Sequence, residues 1–450
     1  MTAVAELFDR TETRLARRLL PEDSESDPVE ALARAAWSSL AEPGDAVAGT
    51  LIARFGAGRA LAQVVGTASA RDVLAEDRAA TTARRFKARP AEDAATEDAA
   101  IDDAATDGAS TVVGRSEDPG DPPPESDDDA RDGVRVLAAG LARWRPRIDR
   151  ALLLRRLEIA HRLDARLLLP DCDGWPLPLD DLAEHAPFVL WSRGDPLALA
   201  APHRLAVVGA RAATGYGEHV AADLAAGAAE RGVLIVSGAA FGIDAVAHKA
   251  ALAAGGRTVA FLAGGSDRLY PTAHTDLLHR VIATPGCSVV TEVPPGTTPT
   301  RWRFLQRNRL IAASTAATVV VEAGARSGSL NTAGHAAALG RPLGAVPGPV
   351  TSASSAGCHR LLREYAATCV TSPTEVVELL GLSAVLAAAP EVSRTASRVL
   401  DVLRAQGAQE TEALAQHCGV SVSEALDLLG TCLAGGLVQR DSEGRWRAAA

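Results

Sequence analysis

Aromatic residues are scarce in this chain: seven Phe, six Trp and three Tyr make up 4% of 450 residues. The hydrophobic fraction is still 47%, so a sizeable core can form, built mainly from Ala, Val and Leu. Lysine is nearly missing, with only Lys87 and Lys249, so almost every basic group is an arginine. Arginine suits bidentate phosphate contacts. The six cysteines, at 172, 287, 358, 369, 418 and 432, are scattered and include no C-x-x-C pair. That spacing supports neither zinc nor a disulfide framework and fits reduced cytosolic thiols. No metal or cofactor is expected. There is no uncharged run of about 18 apolar residues, which excludes an evident membrane span. No positively charged start is followed by an apolar stretch, so no secretory signal is visible. The expected location is the cytoplasm.

The net charge of −10 is unevenly spread. Ala91–Asp129 holds fourteen Asp/Glu and one basic residue, Arg115, so that the rest of the chain is at +3. Ala200–Gly381 carries fifteen Arg/Lys against eleven Asp/Glu. The acidic total therefore does not exclude an anionic ligand. Residues 76–131 are rich in Ala, Asp, Glu, Ser and Pro and cannot bury enough surface to fold alone. They read as a disordered spacer, with a nucleic-acid mimic as the alternative.

The length allows two to three domains. Residues 1–200 read as a mostly helical domain interrupted by the 76–131 insert, with a short αβ stretch at Ala165–Gly194. Residues 201–381 alternate strands and helices at short spacing, the signature of βαβ units and a doubly wound α/β sheet. Residues 382–392 read as a linker. Residues 393–450 read as a winged helix-turn-helix, with helices at Ser397–Ala405, Glu410–His417 and Ser421–Ala434 and a hairpin around Ser442–Gly444. A duplex-reading helix carries basic or amide side chains. Ser421–Ala434 has Glu424 and Asp427 and no Lys or Arg, which favours protein contact or packing.

Five apolar strands in 201–381 run into turns of Gly, Ser, Thr or Pro: Leu205–Val208, Val233–Val236, Val259–Leu262, Val319–Val321 and Leu343–Val346. In a parallel sheet such turns share the carboxyl edge, where ligands bind. Gly209–Gly217 has G-x5-G-x-G spacing and is not a dinucleotide fingerprint. It offers backbone N–H groups and Arg211 at a helix start, or simply a tight turn. In Ser237–Asp244, Gly238 and Gly242 permit a turn and Asp244 is placed to cap the next helix. Asp244 and His248, spaced i, i+4, can touch; a cap with an orienting hydrogen bond is favoured over an acid–base pair. Arg301, Arg303, Arg307 and Arg309 lie within nine residues, interleaved with Trp302 and Phe304. This pattern neutralises phosphates and stacks bases, or is a solvated basic face. Arg326, Ser327, Gly328, Ser329 and Thr332 open a helix and form a second anion cradle. Glu322 precedes it, suited to bond hydroxyls or amides.

Taken in order, these motifs resemble the DNA-processing protein A family (DprA, also called Smf). They are VGAR (Val208–Arg211), YG (Tyr216-Gly217), SGAAFGIDAVAH (Ser237–His248), GGSDRLYP (Gly264–Pro271), TEVPPG (Thr291–Gly296), FLQRNRLIA (Phe304–Ala312), VVEAGARSGSLNTA (Val320–Ala333) and VPG (Val346–Gly348). The resemblance implies an extended Rossmann-like core that binds single-stranded DNA, dimerises, loads the RecA recombinase during natural transformation, and is not an enzyme. It implies DNA contacts at Gly209, Arg211, Tyr216, Gly217, Ser237, Gly238, Gly242, Phe304, Arg307, Asn308, Arg309, Arg326, Ser327, Gly328, Ser329 and Thr332. Asp244, His248 and Glu322 are implied in structural roles. Leu305, His274 and Phe241 depart from the family's usual residues. Two alternatives are a nucleotide-hydrolysing enzyme on a related core, whose P-G-G-x-G-T-x-x-E loop is absent here, and a winged-helix transcription regulator.

Overall fold

A computed structural model describes residues 7–22, 24–76, 127–382, 399–400, 402–404, 407–434, 437–441 and 444–448. Of the acidic insert (76–131), residues 77–126 lie outside the described residues, as do residues 383–392 of the linker (382–392). The chain divides into two compact units, Met1–Thr371 and Ser372–Ala450.

The first unit is organised by a nine-stranded sheet. Its strands are β1 (Arg166–Leu168), β2 (Leu190–Gly194), β3 (Arg204–Val208), β4 (Leu234–Ser237), β5 (Thr258–Phe261), β6 (Ser288–Thr291), β7 (Ala317–Val320), β8 (Leu343–Ala345) and β9 (Thr368–Cys369), in the order β1-β2-β6-β5-β4-β3-β7-β8-β9. From β6 to β9 all pairs are parallel; β2 lies antiparallel to β6, and β1 to β2. The expected doubly wound α/β core is thus present, with an antiparallel edge.

The central strands are short and fully buried, as parallel strands covered on both faces must be. Side-chain alternation divides them between two layers. Val259 and Phe261 enter one hydrophobic cluster, while Ala260 and Leu262 enter the other. Helices Gly215–Glu230 and Ile243–Ala253 pack side by side, as do Arg301–Ala313 and Ser329–Ala338. Strand β6 was not among the five strands read from the sequence. Its Ser288–Thr291 run is only four residues long and follows the amphipathic helix Thr275–Ala283.

The N-terminal helices form around Trp37, which is fully buried, edge-on to Trp144 at 5.2 Å, and donates its indole N–H to the Ala57 carbonyl. Aspartates start them: Asp9 caps Arg10–Leu19 in a reciprocal box with Glu12, and Asp27 caps Pro28–Leu40. Their core runs on into Leu167, Leu169, Val189 and Trp191, so they sit on the β1–β2 edge. The helix that follows the insert begins at Asp127, inside the 76–131 segment read as disordered.

In the second unit, helices Thr411–Cys418 and Val422–Ala434 and the hairpin Val438–Arg440/Trp446–Ala448 enclose Leu414, Leu429, Val438 and Trp446. This is the expected winged-helix pattern.

Candidate nucleic-acid interface

The strand order reverses at β3, which lies between β4 and β7. A doubly wound sheet opens a crevice at such a switch point, outside the carboxyl ends of its strands. Here the turn after β3 meets the turn after β7. Ala210 N–H donates to the Glu322 carbonyl at 2.6 Å. The buried Glu322 carboxylate accepts from Thr214 N–H and Thr214 Oγ1, both at 2.9 Å. Thr214 in turn caps helix Gly215–Glu230 through Gly217 N–H. A Cβ on Gly217 would lie 2.4 Å from Glu322 Oε2, and one on Gly209 would lie 2.5 Å from the Ile243 side chain. Both glycines therefore serve close packing of the turn. Glu322 thus ties the two turns together.

This link leaves Arg211 exposed, its guanidinium 5.2 Å from the Phe304 ring. The Arg307 guanidinium lies 5.9 Å from the same half-buried ring. Arg307 is 4% exposed. Its Nη1 donates to the carbonyls of Gly238 (2.6 Å) and Phe261 (2.5 Å), and its Nε to Asn308 Oδ1 (3.3 Å). Among the described residues its Nη2 edge has no protein acceptor. Burial pushes the Arg307 pKa down to about 10, opposed by Asp244 and helped by Arg211; the group remains a cation at neutral pH. Asn308 is oriented by Asn331 Oδ1 at 3.1 Å. Two guanidinia beside one aromatic ring can bind a phosphate.

The turn after β4 supports this cluster from below. Asp244 does not cap the helix Ile243–Ala253. Gly242 holds the cap position at φ +72°, and the Asp244 carboxylate accepts from Gly238 and Ala240 N–H in the turn itself. Burial raises the Asp244 pKa, and Arg307 opposes it. His248 bonds Thr258 Oγ1 at 2.7 Å and not Asp244. Thr258 already donates to Ile235 O, so His248 Nδ1 is the donor. Burial pushes the His248 pKa down to about 3. A neutral, fully enclosed histidine orients the helix on β5 and has no route to a ligand.

Several expected contacts are used up inside the protein. Ser237 is fully buried and donates to Val207 O at 2.7 Å. Arg309, 3% exposed, forms a bidentate ion pair with Glu292 at 2.7 Å and donates to His185 O. Neither has a free edge to offer a nucleic acid. The basic stretch is split by its own helix: Arg303 pairs with Glu42, and Trp302 stands beside Pro43 and Asp45 of the N-terminal helices. Phe304 lies beside Arg211, and Arg307 meets the same ring.

In the turn after β7, Arg326 and Gly328 are exposed. The Ser327 and Ser329 hydroxyls bond each other at 2.7 Å. Ser329 and Thr332 are buried, which leaves Arg326, Ser327 and the helix start facing outward. Tyr216 is exposed at the same edge, its hydroxyl donating to Pro347 O at 2.7 Å.

Two aromatic groups escaped the sequence reading of the site. Tyr270, 47% exposed, lies 5.8 Å from Phe304. Phe241, 46% exposed, packs on His274 at 4.8 Å. In a chain with 4% aromatic residues, aromatic side chains in polar, glycine-rich turns are a usable signal, because a core position would have hidden them. Among the described residues no group of His, Cys, Asp and Glu is placed to hold a metal ion. No described helix is long and apolar enough to cross a membrane.

Residues 166–381 match the family described as DNA recombination-mediator protein A. The chain is 49% identical over 323 residues to a protein of Mycobacterium tuberculosis named as a DNA processing protein DprA, covering 67% of this chain and 81% of that one. It is 39% identical over 214 residues to the DNA processing protein DprA of Streptococcus pneumoniae, covering 47% of this chain and 72% of that one. The crystal structure of DNA processing protein A from Streptococcus pneumoniae superposes with a TM-score of 0.49 at 33% identity, over 55% of this chain and 85% of that one.

Proposed function

The chain belongs to the DNA recombination-mediator protein A family, also called DprA or Smf, and from that premise we propose that it binds single-stranded DNA and mediates recombination. The observation that carries the reading is the half-buried Phe304 ring with the Arg211 and Arg307 guanidinia 5.2 and 5.9 Å from it, at the sheet's switch point. The cations take phosphates, and the exposed Tyr216, Phe241 and Tyr270 supply stacking faces. Such a surface suits splayed bases and offers no element shaped to enter a duplex groove. The contact set is Arg211, Tyr216, Phe304, Arg307, Arg326 and Ser327, positioned by Gly209, Gly217, Gly238, Gly242, Asn308, Gly328, Ser329 and Thr332.

The finer reading is that the protein protects incoming single strands and loads RecA on them in the cytoplasm, as a homodimer and without catalysis. Its parts are a helical domain (1–200), the DNA-binding domain (201–381), a linker (382–392) and a winged helix (393–450). Fluorescence anisotropy with matched single-stranded and duplex oligonucleotides across a salt series tests the binding. Single strands should bind more tightly, with affinity falling steeply as salt rises; equal affinity for duplex refutes the reading.

A further inference from the structure

Helix Val422–Ala434 of the C-terminal unit already has a complete inner face. Ala425, Leu429 and Cys432 are buried. Leu429 and Cys432 enter the core with Trp446, and Leu428 packs against it. Residues 425, 428, 429 and 432 stand at i, i+3, i+4 and i+7, the one apolar side that a surface helix needs. The helix nevertheless carries a second apolar line. Val422 is 42% exposed, Leu426 46% and Leu433 48%. With Gly430 they occupy i, i+4, i+8 and i+11, which stack along one side of a helix. A lone exposed aliphatic residue needs no explanation, but an aligned set marks a contact surface.

Gly430 is an independent sign of contact. Glycine inside a helix is unfavourable relative to alanine. Nothing in the described residues calls for it: the position is exposed, its φ is not positive, and a Cβ there would meet nothing within 4 Å. The missing side chain leaves a notch between Leu426 and Leu433. Small residues in such a place let a packed partner come close.

Charge selects the partner. The helix has two charged residues, Glu424 and Asp427, both acidic and exposed. Asp427 borders the apolar line on the helical wheel, and Glu424 lies beyond it. Hydrogen bonds from the Ser421 backbone and hydroxyl hold the Glu424 carboxyl below the usual carboxylate range, so it stays an anion. A second copy of this helix would bring like charge to like, and a phosphate backbone would be repelled. A cationic partner gains complementary charge.

We propose that the line Val422, Leu426, Gly430 and Leu433 is a docking face for a protein helix that is apolar along one side, with Arg or Lys beside that side. Leu426 and Leu433 grip the partner's apolar side chains, and Gly430 receives one of them. The face does not depend on what the Phe304 cluster binds.

The test uses the full chain and two fluorescein-labelled synthetic peptides, read by anisotropy. Both are amphipathic helices with a leucine seam, one flanked by Arg and its twin by Glu. The Arg-flanked peptide should bind at least about tenfold more tightly than its twin. The acidic segment Ala91–Asp129 can attract any cationic peptide, so variants decide. Leu426→Gln and Gly430→Gln should each weaken the Arg-flanked peptide about tenfold. Gly430→Gln should at the same time unfold at or above the parent midpoint, because it replaces a helix glycine in open space; a merely structural glycine would lose stability instead. The proposal is overturned if neither peptide binds, if the twin binds as well, or if both variants bind like the parent. A dimer in sedimentation that Leu426→Gln dissociates would make the occupant a second copy, and duplex binding lost in Leu426→Gln would make the face a DNA reader; either overturns it. If Leu426→Gln does not fold, Gly430→Gln decides.

Discussion

The Arg307 guanidinium occupies the space that a side chain on Gly238 would fill: a Cβ there would lie 2.3 Å from Nη1 and 2.5 Å from Cζ. The Gly238 carbonyl also accepts from Nη1 at 2.6 Å. The glycine therefore both clears and holds the position of the buried cation. Gly238→Ala should displace the guanidinium and cost about 1–3 kcal/mol of stability through overpacking. Single-strand affinity should fall together with it. A double-mutant cycle with Arg307→Ala should show binding losses well short of additive, because the two changes remove the same contact. Additive losses would mean that Gly238 touches the DNA by itself.

Arg211 differs from Arg307 in exposure. It rests over the Phe304 ring and contributes nothing visible to the core. Arg211→Ala should weaken single-strand binding by about 1–3 kcal/mol, the range for a charge-assisted bond, with an unchanged melting temperature. The salt dependence should also become shallower, by about the contribution of one phosphate contact. Unchanged affinity with a lowered melting temperature would give Arg211 a structural role instead.

Arg309 should behave in the opposite way. Its bidentate pair with Glu292 is buried on both sides, and removing one partner strands the other charge. Arg309→Met should destabilise the protein by about 3–5 kcal/mol, and Arg309→Met with Glu292→Gln should recover part of that loss. DNA affinity measured well below the melting temperature should stay close to the parent value. A selective loss of affinity with normal stability would return Arg309 to the interface.

The contrast between Arg211 and Arg309 marks what was legible in the sequence. The central strands could be read because buried parallel strands are short apolar runs closed by glycine turns. The turns themselves pointed to the carboxyl edge and to Arg211, Glu322 and Arg326. The roles of four closely spaced arginines could not be read, because they depend on which helix face meets which neighbour. Glu292 lies 17 residues before Arg309, and Glu42 lies 261 residues before Arg303. His248 shows the same limit: its spacing suggested Asp244, but its partner Thr258 comes from the adjacent strand. Local spacing says which side chains can meet, and packing decides which do.

His248 carries a pH signature. Its folded pKa is depressed from 6.5 to about 3 by burial. The unfolded chain therefore binds a proton below pH 6.5 that the folded protein refuses until about pH 3. The stability tied to this group is fully present above the unfolded pKa and is lost as pH falls through that window. The loss runs at about 1.4 kcal/mol per pH unit for one proton. His248→Asn keeps a donor for Thr258 and removes the proton site. Urea unfolding of both proteins between about pH 6 and about pH 4 should show the variant's slope lower by about one proton. The raised pKa of Asp244 acts in the opposite direction and is common to both proteins, so it cancels in the comparison. Parallel pH curves would show that His248 exchanges protons in the folded state.

The C-terminal unit should be dispensable for single-strand binding. Its helix Val422–Ala434 stands where a winged helix presents its reading face, yet it carries Glu424 and Asp427 and no basic residue. Ser393–Ala450 as a whole has six Arg against seven Asp/Glu, so it can neutralise few phosphates. Every group of the Phe304 cluster belongs to the first compact unit. A chain ending at Pro390 should match the full-length protein in anisotropy titrations at the same ionic strength. A loss of about tenfold, or about 1.4 kcal/mol, would place the winged helix on the DNA. Arg440 in the hairpin and Arg445 next to it would then be the first positions to change, since the acidic helix cannot supply the attraction.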